Sequence, residues 1–213
     1  MAPGSIKGLV IFLLAVLVAM DSRAETSART LFERGMPGIR ACADCHGKDG
    51  AGGIDGRYPR IGGQIDAYLA KQLEDFRSDR RHSYVMTPIV QRLHPQQIRA
   101  LVAYVATLNP GPPPPSPAGD DESLGREIAL HGKWSAGVAP CVKCHGPGGI
   151  GVPPNFPELA GQRIGYVVWM FESFRTGSRR NDPLCMMQHV AGHLTPQEVA
   201  AVARYFQDLG RRQ

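Results

Sequence analysis

The chain has 213 residues, 43% of them hydrophobic and 20% charged, and its 24 Lys+Arg against 19 Asp+Glu give a formal net charge of +5. That length and apolar content suit one or two packed domains. The basic excess is small and clusters only in pairs such as Arg80-Arg81 and Arg179-Arg180, which argues against nucleic acid as a partner; five cysteines are too few for a disulfide scaffold.

Residues 1–24 read as a secretory signal peptide. Lys7 gives a positive start, Leu9 to Met20 is an unbroken run of twelve apolar residues, and Ser22-Arg23-Ala24 offers small residues where a signal peptidase cuts. Cleavage is expected after Ala24. Twelve apolar residues fall short of the roughly 20 that span a bilayer, and an uncleaved N-terminal anchor is the competing reading. Either way the remainder is exported, in bacteria to the periplasm, as a soluble or loosely membrane-associated protein. Loss of Lys7, Arg23 and Asp21 takes the charge from +5 to +4.

The next informative stretch is Cys42-Ala43-Asp44-Cys45-His46, a C-x-x-C-H motif that recurs as Cys141-Val142-Lys143-Cys144-His145. Two thiols about one helical turn apart can form thioethers with the two vinyl groups of a haem, and the adjacent histidine can ligate its iron. Zinc is the rival reading; it needs four ligands per site, and neither copy has a second Cys-x-x-Cys. Two covalently bound haem c groups are therefore expected, attached at Cys42 and Cys45 and at Cys141 and Cys144, with His46 and His145 as axial ligands. Their four propionates would balance the mature charge.

The repeat extends almost end to end. Arg29 to Gly35 answers Arg126 to Gly132. Pro59, Gly63-Gln64, Tyr68, Glu74, Phe76 and Arg77 answer Pro157, Gly161-Gln162, Tyr166, Glu172, Phe174 and Arg175 at an offset of 98. Met86, Leu93, Pro95 and Tyr104 answer Met187, Leu194, Pro196 and Tyr205 at an offset of 101. Between the copies, residues 110–119 are rich in proline and form a semi-rigid linker, dividing the chain into domains at 25–109 and 120–213.

Each copy reads as helical. Short first helices are expected at Thr30 to Arg34 and Ser123 to Leu130, with Ser123 as N-cap. Second helices span Ile65 to Phe76 and Ile164 to Phe174. The last begin at His94-Pro95 and Thr195-Pro196, where Thr195 and Glu198 have capping-box spacing. Nothing reads as a strand, so the fold class is all-α.

The repeat also locates a sixth iron ligand. Met86 and Met187, in segments expected to be irregular and about 40 residues beyond the motif histidines, stand in the same register. Met187 is thereby preferred over Met186; Met186 and Met36 read as packing residues. His82, His94, His131, His189 and His193 do not recur and read as surface residues. Cys185 reads as a partly buried thiol or, less simply, as a thiolate ligand. The glycines after each motif suggest close approach of backbone to haem. A carbonyl of Pro59, and of Pro157 or Pro154, is expected to orient the motif histidine. Tyr68, Tyr166, Phe76 and Phe174 are expected to wall the haems or fill the core.

With its tandem C-x-x-C-H, its Pro-x-x-x-Gly-Gln-x-x-x-Tyr segments from Pro59 and Pro157, its Phe-Arg pairs and its methionines before the last helices, the chain resembles the di-haem cytochrome c4 family over nearly all of 25–213. The resemblance implies two tandem cytochrome c class I domains, each wrapped around one haem and related by a pseudo-twofold axis. It also implies periplasmic electron transfer towards haem-copper terminal oxidases. Two departures are Val85, where the family often has a second methionine, and Cys185.

Two protein ligands per iron leave no open position, and no acid/base pair recurs beside either motif. Both features point to an electron carrier, not an enzyme. The expected partners are a quinol-oxidising complex and a terminal oxidase. The alternatives are an electron-accepting subunit of a periplasmic dehydrogenase of the flavocytochrome sulfide dehydrogenase type, or a di-haem thiosulfate dehydrogenase with Cys185 on iron.

Overall fold

The computed structural model describes residues 28–53, 55–116 and 122–211, with the side chain of Glu122 excluded; the signal-peptide reading and the end of the expected linker lie outside them. Among the described residues each half holds five α-helices. The first half has α1 (28–34), α2 (Ala43–His46), α3 (Asp66–Arg77), α4 (Met86–Val90) and α5 (Pro95–Thr107). The second has α6 (Glu122–His131), α7 (Cys141–His145), α8 (Ile164–Arg175), α9 (Met186–His193) and α10 (Pro196–Leu209). Among the described residues β-pairing is confined to isolated bridges.

The apolar spacing explains the packing. On α5, Ile98, Leu101, Val102 and Val105 form one helical face, which meets Leu69 and Phe76 of α3 over the fully buried Phe32. On α10, Val199, Val202, Ala203 and Phe206 do the same against Val167, Phe171 and Phe174 of α8 and Ile128 of α6. Thr195 caps α10 as expected: its hydroxyl accepts from the Glu198 amide at 3.2 Å and its amide donates to the Glu198 carboxylate at 2.8 Å.

Three expectations change. Ser123 lies inside α6 and not ahead of it, so it is not the N-cap. Met36 is 41% exposed and not a packing residue. Met86 and Met187 do not sit in irregular chain but in the first turns of α4 and α9. Side chains just upstream satisfy the open amides there: the Ser83 hydroxyl accepts from Val85 and Met86, and the Asp182 carboxylate accepts from Met187 and Gln188.

The two halves are clasped reciprocally. Gln64 donates to the Glu158 carbonyl at 3.1 Å and accepts from the Glu158 amide at 2.8 Å; Gln162 does the same with the backbone of Arg60, at 2.9 and 2.8 Å. Since 64 and 60 each become 162 and 158 on adding 98, these pairs are exchanged by the pseudo-twofold relation. Both glutamines are buried, where an unmade hydrogen bond costs about 1–3 kcal/mol. Gln162→Ala should therefore weaken docking of the halves by about that amount, measured as a larger radius of gyration and a lower denaturant midpoint.

The linker is also tied down. Proline carbonyls have no ladder partners and accept instead from side chains: Arg211 donates to Pro113 at 2.8 Å and Gln207 to Pro114 at 3.2 Å, while Arg60 donates to Gly111 at 2.6 Å. The described part of the spacer is thus strapped to the end of α10 and to the first half.

Candidate functional site

The clasp leaves a cavity of about 1220 Å³ running through both halves. All eight residues expected at the haems line it: Cys42, Cys45, His46 and Met86 from the first half, and Cys141, Cys144, His145 and Met187 from the second. A water occupies about 30 Å³, so the space suits large planar groups. Its further lining is largely apolar, including Phe32, Leu101 and Val102 in one half and Phe171, Val202 and Phe206 in the other.

Local structure prepares the histidines. Each ends a short helix at its cysteine pair, is 7% exposed, and donates from Nδ1 to a proline carbonyl: His46 to Pro59 at 3.1 Å, His145 to Pro157 at 2.8 Å. Pro157, and not Pro154, supplies the second carbonyl. This bond fixes the ring and its tautomer, leaving Nε2 with a lone pair for a metal. Burial pushes both imidazoles below their ordinary pKa, outweighing the carbonyls that raise it. They are neutral at pH 7, the form that binds iron. Burial also pushes the Cys42 thiol up to about 11 and the Cys141 thiol up to about 12.

The glycine-rich loops act on the proline segments, not on the cavity, which none of them lines. Gly52 has φ +83°, and a Cβ there would stand 2.6 Å from the Tyr58 carbonyl. Close backbone approach lets Gly50 accept from the amides of Ile61 and Gly62, and Gly149 from Leu159 and Ala160. Each loop thereby sets the proline carbonyl beneath its histidine.

Met86 and Met187 each pack against the core of their own half, with Ile89 and Val190 beside them. Met186 lines the cavity too, but only Met187 of the two packs against the core. Cys185 is exposed and does not line the cavity, which speaks against it as a ligand. His82, His94, His131, His189 and His193 are all exposed.

Tyr68 and Tyr166 do more than line the cavity. They accept hydrogen bonds across the interface, Tyr166 from Arg81 at 3.0 Å and Tyr68 from Arg179 at 3.1 Å. Both arginines are buried. The sequence marked Arg81 and Arg179 as equivalent positions, because they keep the 98-residue offset of Phe76 and Phe174, but it did not show what they meet.

Nearby, the buried Asp75 carboxylate accepts from Lys71 on its own helix, from Arg80 at 2.9 Å, and from Asn181 of the other half at 2.7 Å. Burial raises its pKa, but the Lys71, Asn181 and Arg80 donors prevail and hold it below the usual carboxylate range. A depressed folded-state pKa gives stability that is present above the unfolded value, about 4, and is lost as pH falls through the folded value. Docking of the halves should therefore loosen below about pH 4. Asp75→Asn should be looser already at pH 7 and lose much of that acid step, which scattering across pH 3–7 would check.

Comparison with known proteins agrees with this architecture. The Cytochrome c family profile matches residues 28–109 and again 131–210. A thiosulfate dehydrogenase electron acceptor from Stutzerimonas stutzeri (strain A1501) is 38% identical over 204 residues, 93% of each chain. Cytochrome c4 of Thiocapsa roseopersicina is 40% identical over 174 residues, 80% of this chain and 88% of that one. Among solved structures, thiosulfate dehydrogenase from Marichromatium purpuratum superposes with a TM-score of 0.80 at 40% identity, covering 86% of this chain and 40% of that longer one. Reduced cytochrome c4 from Pseudomonas stutzeri gives 0.72 at 30% identity, with 78% and 92% covered. With two cytochrome c domains, two covalently bound haem c groups and the properties of an electron carrier, the chain belongs to the di-haem cytochrome c4 family.

Proposed function

We propose that this chain is the periplasmic electron acceptor of a thiosulfate-oxidising dehydrogenase, relaying electrons through its two domains to a downstream redox protein. The observation that carries the reading is the 38% identity to the Stutzerimonas electron acceptor over 93% of both chains. A second such protein, from Thiomonas intermedia, is 39% identical over 170 residues, and the Marichromatium thiosulfate dehydrogenase structure contains a region of this shape. The chemistry fits: coupling two thiosulfate ions through an S–S bond releases two electrons, and each haem supplies a one-electron Fe(III)/Fe(II) couple.

The residues have distinct parts in the relay. Cys42 and Cys45, and Cys141 and Cys144, attach the haems. His46 with Met86, and His145 with Met187, would hold the two irons from opposite sides, and a bound haem would then supply electron exchange without a position for substrate. Thioether ligation favours Fe(II) and raises the potential, which suits an acceptor. The glutamine clasp and the Arg–Tyr pairs fix the two centres relative to each other. The signal-like segment 1–24 supports export, and among the described residues no helix is long and apolar enough to cross a membrane.

The cytochrome c4 relatives support a second reading, a mobile carrier from a quinol-oxidising complex to a haem-copper oxidase. Anaerobic stopped-flow separates the two. Oxidised holoprotein mixed with thiosulfate and a thiosulfate dehydrogenase should be reduced at both haems, and thiosulfate alone should reduce neither. Reduction no faster than that of an unrelated cytochrome would defeat the acceptor reading. Reduction by thiosulfate alone would make the chain itself a dehydrogenase.

A further inference from the structure

Among the described residues neither arginine at the interface forms an ion pair with a carboxylate, although Asp182 acts on Arg179 from a distance. Arg81 and Arg179 are 8% and 9% exposed. Each stacks on the phenylalanine of its own half, Arg81 at 4.6 Å from the Phe76 centroid and Arg179 at 4.5 Å from that of Phe174. Each also reaches the tyrosine of the other half, as described above. The two share acceptors: Gln72 Oε1 takes Arg81 at 2.8 Å and Arg179 at 3.2 Å, and Met170 Sδ takes them at 3.3 and 3.0 Å. Nitrogens bonded to one oxygen lie within about 6 Å of each other, where like charges in a protein interior repel strongly.

None of these acceptors is a carboxylate, although, against burial that raises it, the two guanidiniums pull the Tyr166 hydroxyl below its ordinary pKa. Arg179 also meets the Asn181 side chain, another neutral group. The Asp75 carboxylate is held by Lys71, Arg80 and Asn181, and that of Asp182 by the start of α9. Two buried cations without a paired anion would be strongly destabilising. Yet both line the cavity that takes the haems, as do Tyr68, Tyr166, Gln72 and Met170. Each haem brings two carboxylates.

We infer that Arg81 and Arg179 form one cationic bridge serving both haems, so that each guanidinium raises the reduction potential of both centres and not only that of its own domain. The sign follows from charge: a nearby cation disfavours Fe(III), the more positive state, and so favours reduction. The reach across domains follows from the crossed geometry, since each guanidinium is fixed by one half's phenylalanine and the other half's tyrosine. Reduction of either centre would lessen the repulsion between its iron and both guanidiniums. The inference does not depend on which protein donates the electrons.

The test is spectroelectrochemical titration of the holoprotein, with haem-methyl NMR resonances assigning each midpoint to its domain. Arg179→Gln should lower both midpoints at unchanged haem content, and Arg81→Gln should do the same. Arg179→Lys, which keeps the charge, should stay close to wild type. Tyr166→Phe, which removes only the hydroxyl that Arg81 reaches, should lower the second-domain midpoint while the first holds. In either Gln variant a shift confined to the mutated domain overturns the inference, as does a Lys variant that shifts as far as Gln. If the Gln variants do not fold, an unmoved second-domain midpoint in Tyr166→Phe is sufficient to overturn it.

Discussion

Replacing Met187 by alanine should remove half of the weak red charge-transfer band that Met-to-Fe(III) ligation produces, while Met186→Ala should leave the whole band. The neighbours are distinguished by their surroundings. Met187 stands in the register of Met86, its amide is held by Asp182 at 2.8 Å, and it packs on the second-half core. The remaining half of the band is expected to come from Met86 and to vanish in Met86→Ala. Loss of a soft thioether ligand also lowers the potential, so each variant should move one of the two reductive waves downward. A full band in Met187→Ala would overturn the ligand assignment.

A larger structural effect is expected when haem attachment to one half is blocked. Cys141→Ser with Cys144→Ser should give a protein with one haem whose second half no longer unfolds cooperatively. The reason lies in the cavity of about 1220 Å³. Emptied cavities cost about 24 cal/mol per Å³ in a well-packed core, and domains are stable by only about 5–15 kcal/mol. A half built around its share of so large a space cannot stand with its apolar lining wet. Hydrogen exchange should show α6, α8 and α10 losing protection while α3 and α5 keep theirs. Retained protection in the second half would mean its packing does not need the haem.

What was legible in the sequence is what local pattern and repetition encode. Helix periodicity over Ile65 to Phe76 lies within one residue of α3, and the Thr195/Glu198 spacing gives the cap of α10. The tandem motif marked the haems because thioether chemistry tolerates few other spacings. The cross-domain contacts were not legible. Gln64 and Glu158, or Arg81 and Tyr166, are ordinary polar residues separated by 94 and 85 positions, and no local pattern says that they meet. The glycine loops were misread for a related reason. A requirement for close approach is visible in sequence, but its partner, here the backbone leading to Pro59 and Pro157, is not. Met86 and Met187 were expected in irregular chain because their short helices rest on Ser83 and Asp182 caps several residues upstream.

Two closed His/Met centres within one relay are expected. Their most direct test is the red Met–Fe(III) band of the oxidised holoprotein, integrated against a pyridine-haemochrome count of the haem. Two haems and two equivalents of the band per chain are predicted, unchanged by added cyanide at low concentration because neither iron has an open face. Two haems with a single equivalent of the band, or rapid cyanide binding at either, would contradict that expectation.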